Sequence, residues 1–156
     1  MEGDLRRIMG IADYQFGPGC GAALFPEDIT IKYSRKTGRI RHIYLDGVLL
    51  ASFRPTDGLF TLTIAGAGRL VSKVDAPVFT VTVTDEAAEF VAQGRNVFAK
   101  HVVEAADAIR PGDEVVVLDS KRQVLAVGRA LLNRVEMLAF KVGVAVKVRR
   151  GRSKDR

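Results

Sequence analysis

Cationic residues in the second half of the chain have types and spacings that suit the binding of phosphate groups. The turn Gly94-Arg95-Asn96 precedes a strand-like segment that carries Lys100 and His101. Glycine lets such a turn expose its backbone N–H groups and approach a phosphate closely. Further bases open and leave the last apolar segment: Lys141, Lys147, Arg149, Arg150 and Arg152. If the two segments are neighbours in a sheet, the bases could form one stripe with salt-sensitive affinity for a polyanion. The alternative is that Arg95, Lys100 and Lys141 merely solvate strand ends.

A second cluster of cations lies in the first half of the chain: Lys32, Arg35, Lys36, Arg39 and Arg41. Tyr33 and Tyr44 are interleaved with these bases, so a hairpin here could hold a nucleic-acid backbone and stack on exposed bases. Strand alternation would separate Lys32 from the face of Ile31 and Tyr33. A solvated hairpin explains the cluster equally well, and both alternatives stay open.

No set of residues suggests catalysis. Group-transfer chemistry requires a nucleophile, a base and an anion stabiliser that converge in one pocket. His42 and His101 fall on predicted strands in different halves of the chain, and the single cysteine, Cys20, is expected to pack in the core. Two histidines and one cysteine do not readily form a closed metal site. We therefore predict a non-catalytic protein without a metal or a cofactor.

The positive charge of the chain is concentrated at its C-terminus. The net charge is +6 over 156 residues, and the last ten residues hold six bases against one acid, which leaves +1 for the remainder. Such a basic tail indicates either a polyanionic partner or a solvated end. The apolar runs are too short to cross a bilayer and the N-terminus lacks a secretory pattern, so the expected location is the cytoplasm, without a membrane partner.

The first half has the pattern of an antiparallel sheet with one or two helices. Asp4 is a candidate N-cap for a helix over residues 5–16, which ends at Gly17. Alternating apolar residues and turn signals then predict four strands, over residues 29–33, 40–45, 48–53 and 59–64. Residues 65–73 favour a second helix, although two glycines weaken the pattern.

The second half has the pattern of a small closed or nearly closed barrel. We divide the chain into residues 1–75, residues 76–150 and a basic tail over 151–156. Thr84 or Asp85 should cap a helix that ends before Gly94. Short strands with turn signals between them account for most of the remainder, over residues 78–84, 97–103, 114–118, 124–132 and 142–148. Residues 135–140 have the pattern of a single helical turn.

Four stretches of the second half, taken in order, resemble a PUA domain. They are residues 81–91, 94–100, 109–115 and 125–130. The sequences Pro-Gly-Asp-Glu-Val at 111–115 and Ala-Val-Gly-Arg-Ala at 126–130 are specific only in combination. Many PUA families carry Pro-Gly where this chain has Lys100-His101, and that departure resembles the version at the C-terminus of archaeal tRNA-guanine transglycosylase.

The first half resembles the small module that precedes PUA in those enzymes, through residues 12–17, 33–40 and 54–62. The resemblance implies an α+β fold with an N-terminal antiparallel sheet followed by a PUA-type β pseudo-barrel. It also implies archaeal origin. In that family these modules hold the tRNA, while a separate barrel exchanges guanine for a 7-deazaguanine. The catalytic aspartates and cysteine-rich zinc site of that barrel have no counterpart here.

The resemblance therefore implies an RNA-binding protein that does not catalyse the exchange. Its ligand would be tRNA or another structured RNA, bound in connection with RNA modification. The alternative is an accessory subunit that docks onto an RNA-modifying enzyme through its N-terminal module.

Overall fold

A computed structural model describes residues 2–75 and 78–154, with the side chains of residues 2 and 154 left out. The chain divides into two units, Met1–Ala76 and Pro77–Arg156. The division predicted between residues 75 and 76 adjoins residues 76 and 77, which lie outside the described part.

The first unit begins with helix α1 (Glu2–Phe16), whose buried face includes Ile8, Ala12 and Phe16. The prediction that Asp4 is the N-cap is wrong, because the helix already includes Asp4 and its carboxylate accepts a hydrogen bond from the Tyr33 hydroxyl. Helix α2 (Cys20–Leu24) was not predicted. A short Gly/Ala-rich helix carries little periodicity, and its position depends on Gly21, whose N–H donates to Asp13 Oδ1 at 2.7 Å.

Four antiparallel strands follow in the order β1-β2-β3-β4, and the predicted antiparallel sheet is confirmed. Their bounds are β1 (Thr30–Tyr33), β2 (Ile40–Leu45), β3 (Val48–Phe53) and β4 (Phe60–Leu62). One cross-strand row is buried in the core: Ile31, Ile43, Ala51 and Leu62. The adjacent row points to the other face: Lys32, His42, Ser52 and Thr61.

Helix α3 (Ile64–Lys73) closes the unit and confirms the predicted second helix. Thr63 caps it by accepting a hydrogen bond from Gly66 N at 3.1 Å. One of the two glycines that weakened the pattern has a packing reason, because a Cβ on Gly66 would lie 2.2 Å from the Leu50 carbonyl oxygen, whereas a Cβ on Gly68 would meet no atom within 4 Å.

The second unit is a six-stranded sheet in the order β6-β10-β9-β8-β5-β7. Its strands are β5 (Thr80–Val83), β6 (Val97–Phe98), β7 (Val102–Ala105), β8 (Glu114–Leu118), β9 (Val124–Ala130) and β10 (Val144–Gly151). Helix α4 (Asp85–Ala92) is capped by Thr84, one of the two predicted caps. Helix α5 (Arg134–Ala139) begins with a capping box formed by Asn133 and Glu136.

The prediction of one continuous strand over residues 97–103 is wrong. A 3-10 helix (Ala99–His101) interrupts it, and the two resulting strands, β6 and β7, lie at opposite edges of the sheet. Backbone hydrogen bonds join this turn to residues beside β10 and β5, the strands next to the two edges: Ala99 N donates to Gly143 O at 3.0 Å, and Thr84 N donates to His101 O at 2.9 Å. The predicted nearly closed barrel is confirmed, because this turn bridges the edges that an open sheet would expose.

The last strand extends further than predicted, into the segment assigned to a basic tail. Gly151 is buried at the end of β10, and a second 3-10 helix (Arg152–Lys154) follows it. Residues 155 and 156 lie outside the described part.

Candidate nucleic-acid interface

Strand β10 pairs antiparallel with β6, so the two cationic segments of the second unit are neighbours. Val144 lies opposite Phe98, and Val146 lies opposite Val97. This pairing is the condition that the sequence analysis left open for a single cationic stripe. At about 3.3 Å per residue, the eight residues of β10 extend over roughly 25 Å, which is long enough for several nucleotides of a single strand.

The Gly94 turn lies against the C-terminal end of β10. Gly94 has a positive φ of 105°, a backbone conformation that favours glycine, and Asn96 Oδ1 accepts a hydrogen bond from Val148 N at 2.9 Å. The Arg95 guanidinium is exposed and lies 5.9 Å from the centroid of the Phe90 ring. Arg95 therefore extends the cationic end of β10 over an aromatic surface.

The turn Ala99–His101 lies at the other end of the same strand, beside Gly143. Lys100 and Lys141 are exposed there, and His101 is half-buried with its ring 6.4 Å from that of Phe98. Phe98 and Phe140 are themselves exposed, by 47% and 44%. Sequence reasoning missed these two aromatic residues, although each lies within two positions of a predicted lysine ligand.

The charge of Arg149 is neutralised within the protein. The register of β10 against β9 shifts between Val148 and Arg150, which leaves Arg149 as the extra residue of a β-bulge. Its guanidinium binds both carboxylate oxygens of Glu114, with Nη1 2.8 Å from Oε1. The Glu114 side chain is only 1% exposed. Arg149 therefore compensates a buried carboxylate.

The remaining predicted residues lie along and beyond β10. Lys147 and Arg150 are exposed on the strand, and Arg152 Nη1 donates to Val124 O at 3.4 Å. Lys147 lies opposite Arg129 of β9, an exposed base that sequence reasoning missed. The signal for Arg129 was its place between two buried residues of a predicted strand, where alternation turns it outward.

The first-unit cluster is divided between different surfaces. Lys32 lies opposite His42 on the outer face of the sheet, with its Nζ 5.4 Å from the centroid of the Tyr44 ring. Arg41 is the extra residue of a bulge, because Lys32 pairs with His42 while Tyr33 pairs with Ile40. Arg39 and Arg41 line a cleft with residues of other elements, and Arg35 and Lys36 are exposed in the turn between β1 and β2.

The surroundings of His42 and Cys20 in the first unit shift the pKa values of both side chains. His42 Nδ1 lies 2.7 Å from Ser52 Oγ, and the pKa of His42 is lowered by burial and by the cations Arg41 and Lys32. Burial raises the pKa of the Cys20 thiol to about 11, with a further contribution from Asp13.

In the described residues no group of His, Cys, Asp and Glu could hold a metal ion. Within the same part of the chain, no helix is long and apolar enough to cross a membrane.

Two family models match the chain, one for each unit. Residues 6–77 match the patch-forming domain C2 of tRNA-guanine transglycosylase, and residues 79–152 match the PUA domain. The chain carries a C2 domain followed by a PUA domain. The resemblance found in the motifs is thereby confirmed. The cationic stripe accordingly belongs to the PUA domain, and the first-unit cluster belongs to the C2 domain.

The relatives of this C2–PUA chain include archaeal tRNA-guanine(15) transglycosylases. That of Methanothermobacter thermautotrophicus is 43% identical over 148 residues, which cover 95% of this chain and 23% of the relative. That of Thermococcus kodakarensis is 47% identical over 151 residues, which cover 96% and 26%. The chain thus spans about a quarter of the length of these curated relatives.

Solved structures share the fold. A hypothetical protein from the hyperthermophilic archaeon Pyrococcus horikoshii has a TM-score of 0.77 at 23% identity, covering 100% of this chain and 93% of that one. A conserved PUA domain protein from Thermoplasma acidophilum has a TM-score of 0.71 at 21% identity, covering 99% and 93%. At these identities the similarity concerns the fold alone.

Proposed function

We propose that this chain binds RNA, with tRNA as its target, along the edge of the PUA domain where β6 and β10 pair. The pairing itself is the observation that carries the proposal. It brings the Gly94 turn and the Ala99–His101 turn to the two ends of one strand. Cations along that strand can neutralise consecutive phosphates, and each neutralised phosphate releases condensed counterions.

Aromatic side chains support RNA rather than an unspecified polyanion. Phe98 and Phe140 are exposed close to Lys100 and Lys141 in the sequence, and Phe90 is exposed under Arg95. Stacking of a base on an aromatic ring contributes about 1–3 kcal/mol per base and requires unpaired nucleotides. We therefore expect the contacted segment to be single-stranded. The relatives are tRNA-guanine(15) transglycosylases, which supports tRNA as the class of RNA.

We propose further that the chain acts in tRNA modification as a binding component, without catalysing the reaction. The nearest arrangement to a catalytic pair is His42 with Ser52, on the outer face of the C2 sheet. In a catalytic triad a third group, commonly a carboxylate, orients the base. The charged groups that act on His42 are instead the cations Arg41 and Lys32. The pair is therefore better explained as a cross-strand hydrogen bond.

The experiment measures binding of the full chain to fluorescently labelled unfractionated tRNA over a salt series. Replacing both Lys100 and Lys141 by Gln should lower the slope of log K against log salt by about 1.4, at roughly 0.7 per lost single-strand contact. The matched control replaces Lys73 and Lys121 by Gln, because both lysines are exposed and neither belongs to the proposed surface. Equal slopes for the two double variants would contradict the proposed surface. Absence of binding at low salt would contradict the function.

A further inference from the structure

The PUA domain has exposed aliphatic side chains on the side formed by helix α5 and strand β7. Val135 and Leu138 are three residues apart on α5, so they share one face of the helix, and they are exposed by 71% and 43%. Met137 of the same helix is buried in the core of the domain. Val142, in the loop that follows the helix, is exposed by 82%. Helix α5 therefore presents apolar side chains to the solvent as well as to the core.

Strand β7 adds a valine to this surface because of a β-bulge. Thr82 of β5 lies opposite Glu104 and Val83 lies opposite Val102, which leaves Val103 as the extra residue of β7. A bulge redirects the side chain at the extra position, and Val103 is exposed by 57%. We call Val103, Val135, Leu138 and Val142 the apolar face.

Helix α5 and strand β7 run side by side in opposite directions. Arg134, at the start of the helix, pairs with Glu104 late in the strand, with Arg134 Nε 2.8 Å from Glu104 Oε1. Gly143, beyond the end of the helix, accepts a hydrogen bond from Ala99 N, which precedes the strand. Leu138 is one turn after Arg134 and therefore lies on the side of the helix that faces β7. The helix and the strand thus contribute to one surface.

Charged residues differ at the two ends of the apolar face. At the end where the helix begins, Glu104 and Asp107 lie 2.8 Å and 3.7 Å from nitrogen atoms of Arg134, so two carboxylates share one guanidinium group. At the end where the helix stops, Lys100 and Lys141 are exposed. Among the described residues, no carboxylate forms an ion pair with either lysine. The apolar face therefore has an acidic end and a basic end.

We propose that the apolar face is the contact between two copies of this chain, related by a two-fold axis. In a two-fold contact both copies use the same surface, and each end of the surface meets the opposite end of the partner. The acidic end of each copy then meets the basic end of the other, while the valines and Leu138 are buried between them. A polyanion would be repelled by the acidic end, whereas a second copy is complementary at both ends. This inference does not depend on the proposed RNA-binding function.

The size of the apolar face predicts a reversible dimer. Its four side chains expose an apolar area on the order of 250 Å², at roughly 100 Å² for one whole aliphatic side chain. With the charged ends as a rim, each copy would bury about 500 Å², which is at the low end of specific interfaces and typical of transient complexes. We therefore expect a dissociation constant of about 10–100 µM.

The first test is sedimentation velocity of the full chain without RNA, at concentrations from about 2 to 500 µM. The unmodified chain should shift from monomer to dimer over this range. Val135→Asp places a carboxylate of each copy in the contact and should raise the dissociation constant at least about 10-fold. The matched control is Val48→Asp, because Val48 is an exposed valine of the C2 domain outside the apolar face. A chain that stays monomeric throughout, or equal effects of the two variants, would overturn the proposal.

An exchange of charges tests the two-fold arrangement. Lys141→Glu and Asp107→Lys should each weaken self-association about 10-fold, because a symmetric dimer of either variant joins like charges twice. An equimolar mixture of the two variants should associate as well as the unmodified chain, since every contact in the mixed dimer then joins opposite charges. Circular dichroism should show the same melting temperature for both variants. A mixture that associates no better than its components would contradict the arrangement.

The outcomes are separate from those of the RNA-binding experiment. Val135 does not belong to the proposed RNA surface, so Val135→Asp should bind labelled tRNA with the same dependence on salt as Val48→Asp. If tRNA binds and the chain stays monomeric, the dimer contact is refuted and the RNA surface stands. If the chain dimerises and tRNA does not bind, the reverse holds. Loss of tRNA binding in Val135→Asp without any self-association of the unmodified chain would assign the apolar face to RNA and overturn the proposal.

Discussion

At the scale of single residues, neighbouring arginines of one strand have different roles. Arg149 and Arg150 are adjacent on β10, yet the bulge turns Arg149 toward Glu114, a buried carboxylate. A buried charge is costly unless it is paired and hydrogen-bonded. Arg149 is therefore a poor choice for testing RNA binding, because its loss would perturb the domain itself.

We predict that Arg149→Ala destabilises the PUA domain by about 2–4 kcal/mol, because it leaves the Glu114 carboxylate without its bidentate partner. Urea denaturation followed by circular dichroism measures the effect. Lys147→Ala is the matched control and should change the stability by less than about 0.5 kcal/mol, since Lys147 is an exposed residue of the same strand. Replacing Glu114 by Gln in the Arg149→Ala background should recover part of the loss. Equal stability of the two single variants would refute this role.

A second prediction concerns His42, whose pKa is lowered by burial, by Arg41 and by Lys32. The unfolded state then binds the proton more readily than the folded state. The stabilising effect of the neutral ring is complete above the unfolded pKa of about 6.5 and is lost as the pH falls through the folded pKa. NMR titration of the imidazole should show the lowered value, and Arg41→Gln should raise it toward 6.5. Arg35→Gln should leave it unchanged; an equal shift in both variants would argue against a local effect of Arg41.

At the scale of elements, the 3-10 helix Ala99–His101 determines the geometry of the PUA surface. It separates β6 from β7, so that β6 can pair with β10 at one edge while β7 pairs with β5 at the other. The C-terminal end of β10 also lies close to the Gly94 turn. A Cβ on Gly151 would lie 2.4 Å from Ala92 O and 2.5 Å from Gly94 N. The position of the Gly94 turn therefore depends on a glycine at the end of the neighbouring strand.

We predict that Gly151→Ala destabilises the PUA domain by about 1–3 kcal/mol, because backbone atoms cannot move aside as a flexible side chain would. It should also weaken tRNA binding, since the Gly94 turn must shift. Urea denaturation and the tRNA titration measure the two effects. Gly10→Ala is the control: a Cβ there meets no atom within 4 Å, so the change should stabilise helix α1 by about 0.5–1 kcal/mol. If Gly151→Ala changed neither the stability nor the tRNA binding, the contact between residue 151 and the Gly94 turn would be loose in solution.

At the scale of the whole molecule, the charge distribution matters more than its sum. The net charge of +6 is small for a polyanion-binding chain of 156 residues. The structure groups bases in two regions, the β6–β10 edge of the PUA domain and the cleft of the C2 domain that Arg7, Arg39 and Arg41 line. Outside these regions Arg134 is paired with Glu104 at 2.8 Å. Steering of RNA should therefore depend on these two surfaces rather than on the mean charge.

Much of the fold was predictable from local patterns in the sequence. The bounds of β2, β3 and β8 agree with the predicted strands, and Thr84 caps α4 as expected. Alternation, turn residues and caps act over a few neighbouring residues, so the sequence displays them directly. The two-domain resemblance was also visible in short motifs, and the family models confirm it.

The tertiary structure alone decided how distant residues combine. The pairing of β6 with β10, the diversion of Arg149 to Glu114 and the meeting of Arg7 with Arg54 join residues far apart in the chain. Each depends on strand order and on bulges that shift the register by one residue, which turns a side chain from one surface to another. Composition therefore determined that cations were available. The register determined which of them are left uncompensated at a surface where RNA could bind.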